Sequence, residues 1–258
     1  MTAVLSDSWQ LTYRQLRNFA RQPYFVAITL VQPMIWLLLF GQLFKNVSHL
    51  QGFPGGSYIG YLTPGVVVMT SLFSNGWSGM GYITIMERGV LDRLLVSPVS
   101  RASIITGGLG YQATTTTIQS LIVLGIGFIA GARFPGGPLP LLALLVACLL
   151  LGSAFSSFSN QMALRIRKEE SVIAMVNFLV LPLSFLSTTL LPSEIVPGWI
   201  RQAARYNPVN WAVVIGRQTL QTHVDYGVIA DHLLGLAAVA VAMAWIAARA
   251  FKAYQRSV

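Results

Sequence analysis

Apolar runs of about the length needed to cross a bilayer recur along this chain, and they constrain its fold more than any other feature. Six such runs are predicted as membrane-spanning helices, at about residues 24–44, 58–85, 104–130, 139–158, 172–191 and 233–250. Only 10% of the 258 residues are charged, whereas a soluble domain has about 25%. The sequence therefore predicts an all-α polytopic membrane protein with six transmembrane helices, in which residues 1–258 form a single transmembrane domain.

The distribution of charge predicts how these helices are oriented. The net charge of +9 does not indicate nucleic-acid binding, because the 17 Lys and Arg residues lie in small groups between the apolar runs. If the N-terminus is inside, the inner segments carry twelve of them and the outer segments five. Positive residues accumulate on the cytoplasmic side, so both termini are predicted to be cytoplasmic. The single cysteine, Cys148, lies within an apolar run and is predicted to be a packing residue.

The first 23 residues predict an amphipathic helix that lies on the membrane surface and ends near Pro23. Its apolar positions recur at helical spacing, and its arginines lie elsewhere around the helix. The apolar positions are Trp9, Tyr13, Leu16 and Ala20, and the basic ones are Arg14, Arg17 and Arg21.

Residues 87–101 are the most charged window of the chain and predict a short cytoplasmic helix. Val90, Leu91, Leu94 and Leu95 form its apolar face, and Glu87, Arg88, Asp92 and Arg93 lie off that face. Pro98 ends the helix, because the residue before a proline avoids the helical region. The segment is either an ordinary solvated loop helix or a docking element on which another protein acts.

Two polar stripes interrupt the apolar runs. Thr70, Ser71, Ser74, Asn75 and Ser78 lie on the second predicted span, and Asn177, Ser184 and Thr188 lie on the fifth. Polar residues in a membrane helix face other helices or a cavity rather than lipid. We favour hydrogen bonding between helices, and a central substrate path is the alternative.

Residues 192–231 differ from the rest and predict extracellular structure half sunk in the membrane surface. Two short amphipathic helices fit, at 197–205 and 208–220, with Trp211, Val214, Ile215 and Gln218 on one face of the second. Tryptophan favours the headgroup region. The segment is either an outer gate or a passive lid, and its candidate gate residues are Pro197, Trp199, Asn207, Pro208 and Trp211.

Several kinds of chemistry are missing. The three lysines do not stand in a phosphate-binding Gly-Lys-Ser/Thr context, and the eight acidic residues lie in loops or at span ends, which argues against self-contained ion coupling. No metal site or catalytic residue is predicted. One enzyme alternative is an intramembrane serine protease, because Gly76-Trp77-Ser78-Gly79 matches a Gly-x-Ser-Gly motif and His232 could serve as the base.

With this topology, the chain resembles an ABC-2-type transport permease of the daunorubicin/doxorubicin-resistance type. The segment Glu87–Arg101 carries the most specific similarity. Leu191-Pro192 through Pro197-Gly198-Trp199, followed by Asn207-Pro208-Val209-Asn210-Trp211-Ala212, resembles the extracellular segment of the family, and the N-terminal helix resembles its interfacial helix.

The resemblance implies a transport subunit that is not itself an enzyme. ATP and Mg would be bound by a separate ATP-binding cassette subunit, and a second permease copy or a paralogue would complete the membrane part in a bacterial plasma membrane. Residues Glu87–Pro98 would be the coupling helix, seated in a cleft of the ATPase. The implied substrate is hydrophobic or amphipathic, such as a drug, natural product or lipid-like molecule. A polysaccharide or lipid-linked glycan exporter is the alternative.

Overall fold

A computed structural model describes residues 12, 13, 17, 30–46, 57–87, 101–192 and 196–255. These parts of the chain form helices joined by turns and contain no strand, which confirms the all-α prediction. The helices are α1 (Leu30–Leu43), α2 (Tyr58–Gly76), α3 (Ser78–Glu87), α4 (Arg101–Ile129), α5 (Pro138–Ile166), α6 (Glu169–Phe185), α7 (Gly198–Tyr206), α8 (Pro208–Arg217) and α9 (Tyr226–Gln255). A 3₁₀ turn, Gln218–Leu220, extends α8.

Three of these helices contain a segment long and apolar enough to cross a membrane by length and composition. The segments are Gly107–Ile129 of α4, Pro138–Ile166 of α5 and Tyr226–Arg249 of α9. Helix α1 is a shorter apolar helix. Together these helices indicate a membrane protein.

The helix bounds differ from the predicted spans in three places. Residues 58–87 form two helices rather than one, with a turn at Trp77. Helix α6 ends at Phe185, soon after Pro182, instead of continuing to 191. Helix α9 begins at Tyr226 rather than 233, because the Asp225 carboxylate accepts hydrogen bonds from the first-turn amides of Gly227 (2.9 Å) and Val228 (3.2 Å).

Helices α2 and α5 lie at the centre of the packing. Helix α5 packs against α9, α2, α3, α8 and α4, and α2 packs against α4, α5, α8 and α1. The residues of α2 from Gly60 to Leu72 are all buried. Small residues allow this close approach, as in membrane helix pairs generally: the Cα of Gly127 faces Thr63, and that of Gly152 faces Asn75.

Helix α1 docks on α2 through a line of aromatic rings. The ring centroids of Trp36 and Phe40 are 4.4 Å apart, those of Phe40 and Phe44 are 5.6 Å apart, and those of Phe44 and Tyr58 are 5.9 Å apart. Residues Trp36–Phe40 form a π-helical turn. This wider turn follows Pro33, and proline is a common cause of a helix kink.

Candidate substrate cavity and outer clasp

A cavity of about 460 Å³ lies between α1 and α2. Most of its wall is apolar, and three polar side chains contribute to it, those of Gln32, Thr70 and Ser74. The apolar lining comes from Val31, Pro33, Ile35, Trp36, Val66, Met69, Phe73 and Trp77. An apolar pocket with a few polar groups is the usual form of a site for a small organic molecule.

The predicted polar stripe on α2 is divided between two surfaces. Thr70 and Ser74 line the cavity, and the Thr70 hydroxyl donates to the backbone oxygen of Val66 at 2.8 Å. Ser71 and Asn75 are buried and bond instead to neighbouring helices. The Ser71 hydroxyl donates to the Cys148 carbonyl (2.8 Å), and the Asn75 amide donates to the Thr116 hydroxyl (2.9 Å). These two side chains therefore join α2 to α5 and α4.

Ser78 at the start of α3 takes part in another interhelical cluster. Its hydroxyl donates to Asn160 Oδ1 at 3.0 Å and lies 3.2 Å from the Ser156 hydroxyl, which itself bonds Gln112. The other residue of the protease hypothesis, His232, places its Nδ1 2.7 Å from the carbonyl oxygen of Val228 in its own helix. Ser78 and His232 thus bond to other groups and form no nucleophile–base pair.

The three polar residues predicted on the fifth span occupy different environments. Ser184 is buried and its hydroxyl donates to the Val180 carbonyl at 2.8 Å. Thr188 lies beyond the end of α6, and its backbone amide donates to Asn210 Oδ1 at 3.0 Å. Asn177 is the middle residue of α6, is partly exposed, and has no hydrogen-bond partner among the described residues.

Five side chains from α2 and the α7–α8 region hold the chain that follows α6, and we call them the outer clasp: Tyr58, Tyr61, Asn207, Asn210 and Arg217. The Asn207 amide donates to the carbonyls of Leu183 (2.7 Å) and Leu186 (3.1 Å). Its Oδ1 accepts from the Val209 amide at 2.9 Å, so the same side chain caps α8.

The rest of the outer clasp converges on Thr188 and Leu190. The Arg217 guanidinium donates to the Thr188 hydroxyl at 2.9 Å and also to its carbonyl, and it stacks over the Tyr61 ring at 4.2 Å from the centroid. The Tyr61 hydroxyl donates to the same carbonyl at 3.3 Å, and that of Tyr58 to the Leu190 carbonyl at 3.1 Å. Backbone carbonyls of the chain that follows α6 thus accept hydrogen bonds from side chains of α2 and α8.

The candidate gate residues do not share one environment. Trp199 is 66% exposed on α7, and Pro197 and Pro208 lie at or next to the N-termini of α7 and α8. Trp211 is half-buried, packs against Gly235 and donates its indole N–H to the Arg205 carbonyl at 2.7 Å.

The buried surface of α8 extends beyond the predicted face, of which Ile215 and Gln218 are buried. Val209, Ala212, Val213 and Ile215 are fully buried, whereas Trp211 and Val214 are only partly so. Helix α8 contacts α9, α5, α2 and α6. Contacts on several sides bury more of the helix than a surface amphipathic helix would bury.

Most of the predicted ATPase-coupling residues lie outside the described part of the chain. Glu87 is exposed at the C-terminal end of α3. Those outside are Arg88, Val90, Leu91, Asp92, Arg93, Leu94, Leu95 and Pro98.

The N-terminal segment contacts α4 through a residue that the sequence pattern does not single out. Tyr13 and Arg17 are helical and exposed, and Trp9 and Arg14 lie outside the described residues. Thr12 is buried, and its hydroxyl donates to the Gly107 carbonyl at 3.1 Å. Gly110 faces the same threonine, so two glycines one turn apart are the signal that could have located this contact.

No group of three or more His, Cys, Asp or Glu side chains that could hold a metal occurs within the described ranges. The candidate site consists of the apolar cavity and the outer clasp.

Known proteins with similar sequences include transport permeases. The chain is 29% identical over 217 residues to the putative transport permease ycf38 of Cyanophora paradoxa. The aligned region covers 81% of this chain and 72% of that protein. It is 26% identical to the probable doxorubicin resistance ABC transporter permease protein DrrC of Mycobacterium tuberculosis (80% and 74% covered). It is 23% identical to the daunorubicin resistance ABC transporter permease protein DrrB1 of Streptomyces coeruleorubidus (93% and 83% covered).

A family model described as ABC-2 type transporter matches residues 7–220, a range that includes both the cavity and the outer clasp. The resemblance stated from the sequence is thereby confirmed. The protein belongs to the ABC-2 type transporter family and is one of its membrane permeases.

Proposed function

We propose that this chain is the membrane-spanning permease subunit of an ATP-binding cassette exporter. The family match over residues 7–220 carries the proposal. Lys45, Lys168 and Lys252 are the only lysines, and none stands in a phosphate-binding loop. The energy would come from a separate subunit that binds ATP and Mg, and two permease chains would form the membrane part.

We propose six spans with both termini in the cytoplasm. Helix α1, the α2–α3 pair, α4, α5, α6 and α9 would cross the bilayer, and α7 and α8 would lie on the outer side. The excess of Lys and Arg on the inner segments supports this orientation. The outer clasp would then fix the outer end of α6 against α2 and α8.

The substrate we propose is hydrophobic or amphipathic, carried outward from the cavity between α1 and α2. The relatives named for doxorubicin and daunorubicin resistance support this class. The volume of about 460 Å³ falls in the range of sites for drug-sized molecules. Gln32, Thr70 and Ser74 would bind the polar part of the substrate, and Trp36 and Phe73 would contact its apolar part.

Filling the cavity tests its role. Ser74→Trp places a large side chain in the cavity, whereas Ala238→Trp places the same side chain on an exposed part of α9. With doxorubicin as the probe, we expect Ser74→Trp to raise the concentration that half-maximally stimulates ATPase activity by about tenfold or more, equivalent to about 1.4 kcal/mol. Equal stimulation of both variants by doxorubicin would show that the cavity is not the binding site.

The partner is tested by affinity purification of this chain from its native membrane in mild detergent. We expect a P-loop ATPase to co-purify in stoichiometric amount. Leu94→Asp should abolish this, because burying an unpaired charge in a contact costs several kcal/mol, and Arg93→Glu should weaken it. Arg133→Glu, in the turn between α4 and α5, is the control. Full ATPase recovery with Leu94→Asp would exclude that face as the contact.

A further inference from the structure

Of the three helices long enough to cross a membrane, α9 packs least against the rest of the described chain. Only 17% of the residues in its most apolar stretch are buried, compared with 39% for α4 and 50% for α5. The buried residues Ile229, Leu236 and Ala240 lie on one side of the helix. The other side is therefore open to the surroundings of the protein.

That open side carries an exposed line that is apolar for most of its length and ends in a cation. Leu234 (69% exposed), Val241 (70%) and Trp245 (56%) follow one another at seven and four residues, so they share one face of α9. Arg249 comes next, four residues after Trp245, and is also exposed. At 1.5 Å per residue, Leu234 to Trp245 covers about 16 Å, close to half of a hydrocarbon core of about 30 Å. The apolar part of the line thus has the length of an acyl chain in one leaflet.

The cation at the end of this line is held by an aromatic ring. The Arg249 guanidinium carbon lies 3.6 Å from the centroid of the Trp245 ring. Stacking on the face of a ring leaves the N–H groups in the guanidinium plane available as donors. Among the described residues, none accepts a hydrogen bond from Arg249 or forms an ion pair with it. The pair therefore presents a fixed cation whose donors are open to an anion from outside the chain.

The charges on α9 do not balance this cation. Asp231 is the only acidic residue of α9, and it lies about 27 Å from Arg249 along the helix. Lys252 adds a second positive charge three residues after Arg249. Tryptophan favours the headgroup region of a membrane, and basic residues just beyond a span attract anionic lipids.

We propose that Trp245 and Arg249 form a binding site for an anionic phospholipid, with the lipid phosphate on the Arg249 guanidinium and one acyl chain along the line from Leu234 to Trp245. Charge complementarity selects this headgroup, because the phosphate of a zwitterionic lipid is already balanced by its own ammonium group. The site requires that α9 spans the membrane and does not require the ATPase. The proposed orientation places it in the inner leaflet.

Native mass spectrometry of the full chain in mild detergent tests the site. Dioleoyl phosphatidylglycerol is the anionic probe, and dioleoyl phosphatidylcholine has the same acyl chains without net charge. We expect the anionic lipid to bind more tightly and Arg249→Ala to weaken its binding about fivefold, equivalent to about 1 kcal/mol for one basic residue, with no change for the zwitterionic lipid. Arg165→Ala, which removes an exposed arginine at the end of α5 on the same proposed side, should change neither affinity. Equal binding of the two lipids, or an equal effect of the two variants, would overturn the proposal.

The role of the ring is measured in the same titration. Trp245→Leu should lower the affinity for phosphatidylglycerol about twofold to fivefold, the range of an exposed cation–π contact. An unchanged affinity would refute the positioning of the guanidinium by Trp245.

An acidic surface of the ATPase is the alternative occupant. It predicts that Arg249→Ala reduces the recovery of the ATPase in affinity purification and leaves phosphatidylglycerol binding unchanged, and that result would overturn the lipid site. Selective phosphatidylglycerol binding by a chain that recovers no ATPase would support the lipid site and refute only the proposed exporter subunit.

Discussion

At the scale of single residues, close helix contacts depend on particular glycines. A Cβ at Gly79 would lie 2.5 Å from the carbonyl oxygen of Ser159 on α5, whereas a Cβ at Gly81 has no described heavy atom of a neighbouring element within 4 Å. Gly79→Ala should therefore destabilise the folded permease by about 1–3 kcal/mol, the usual cost of overpacking. Gly81→Ala, the same change two residues along, should be close to neutral. Thermal unfolding in detergent measures both, and equal melting temperatures would contradict the packing argument.

Helical spacing predicts which polar residues share a stripe but not which neighbour each will meet. Thr70, Ser71, Ser74 and Asn75 follow the pattern of one polar surface, yet Thr70 and Ser74 line the cavity while Ser71 and Asn75 bond to α5 and α4. The rotation of α2 about its axis decides this division. Contacts between residues that are far apart in the sequence set that rotation, so a local sequence pattern does not predict it.

At the scale of elements, the outer clasp is where one side chain has a large expected effect. Arg217 bonds both the hydroxyl and the carbonyl of Thr188 and stacks on Tyr61. Arg217→Gln should loosen residues 186–192 by about 1.5–3 kcal/mol, the value of hydrogen bonds to a charged group. Arg205→Gln, at an exposed site on α7, is the control.

Amide hydrogen exchange followed by mass spectrometry reports on that segment. Peptides covering residues 186–192 should exchange about tenfold faster or more in Arg217→Gln, since about 1.4 kcal/mol corresponds to a factor of ten. The same peptides should be unchanged in Arg205→Gln. Unchanged exchange in both variants would mean that Asn207 and Asn210 hold the segment without Arg217.

The apolar runs predicted where helices form, whereas the residues at which the helices begin and end depend on weaker sequence signals. Asp225 followed by Tyr226-Gly227 is an N-cap signal, and it explains why α9 starts before its apolar run. The turn at Trp77 has no comparable sequence signal, because Gly76 and Ser78 also occur inside helices. For α8, amphipathic spacing predicted a surface helix, but Ala212, Val213 and Ile215 are buried among other helices. Spacing does not distinguish a helix on the surface from one enclosed by several neighbours.

At the scale of the whole molecule, composition was the strongest guide. The small share of charged residues and the recurring apolar runs predicted an all-α membrane protein, and the helices of the structure agree. The central position of α2 and α5 was not predictable, because an apolar run has a similar composition whether its helix contacts lipid or other helices. Small residues such as Gly127 and Gly152 carry part of that information, since they mark where another helix comes close.

The proposed topology places the two ends of α6 on opposite sides of the membrane, and this is directly measurable. Lys168, just before α6, and Trp199, on α7, are both exposed. Cys148 is fully buried and gives little background labelling. In intact cells a membrane-impermeant maleimide should label Trp199→Cys, and it should label Lys168→Cys only after permeabilisation. The opposite pattern would invert the orientation that the arginine and lysine distribution favours. Labelling of both positions from outside would mean that α6 does not cross the bilayer.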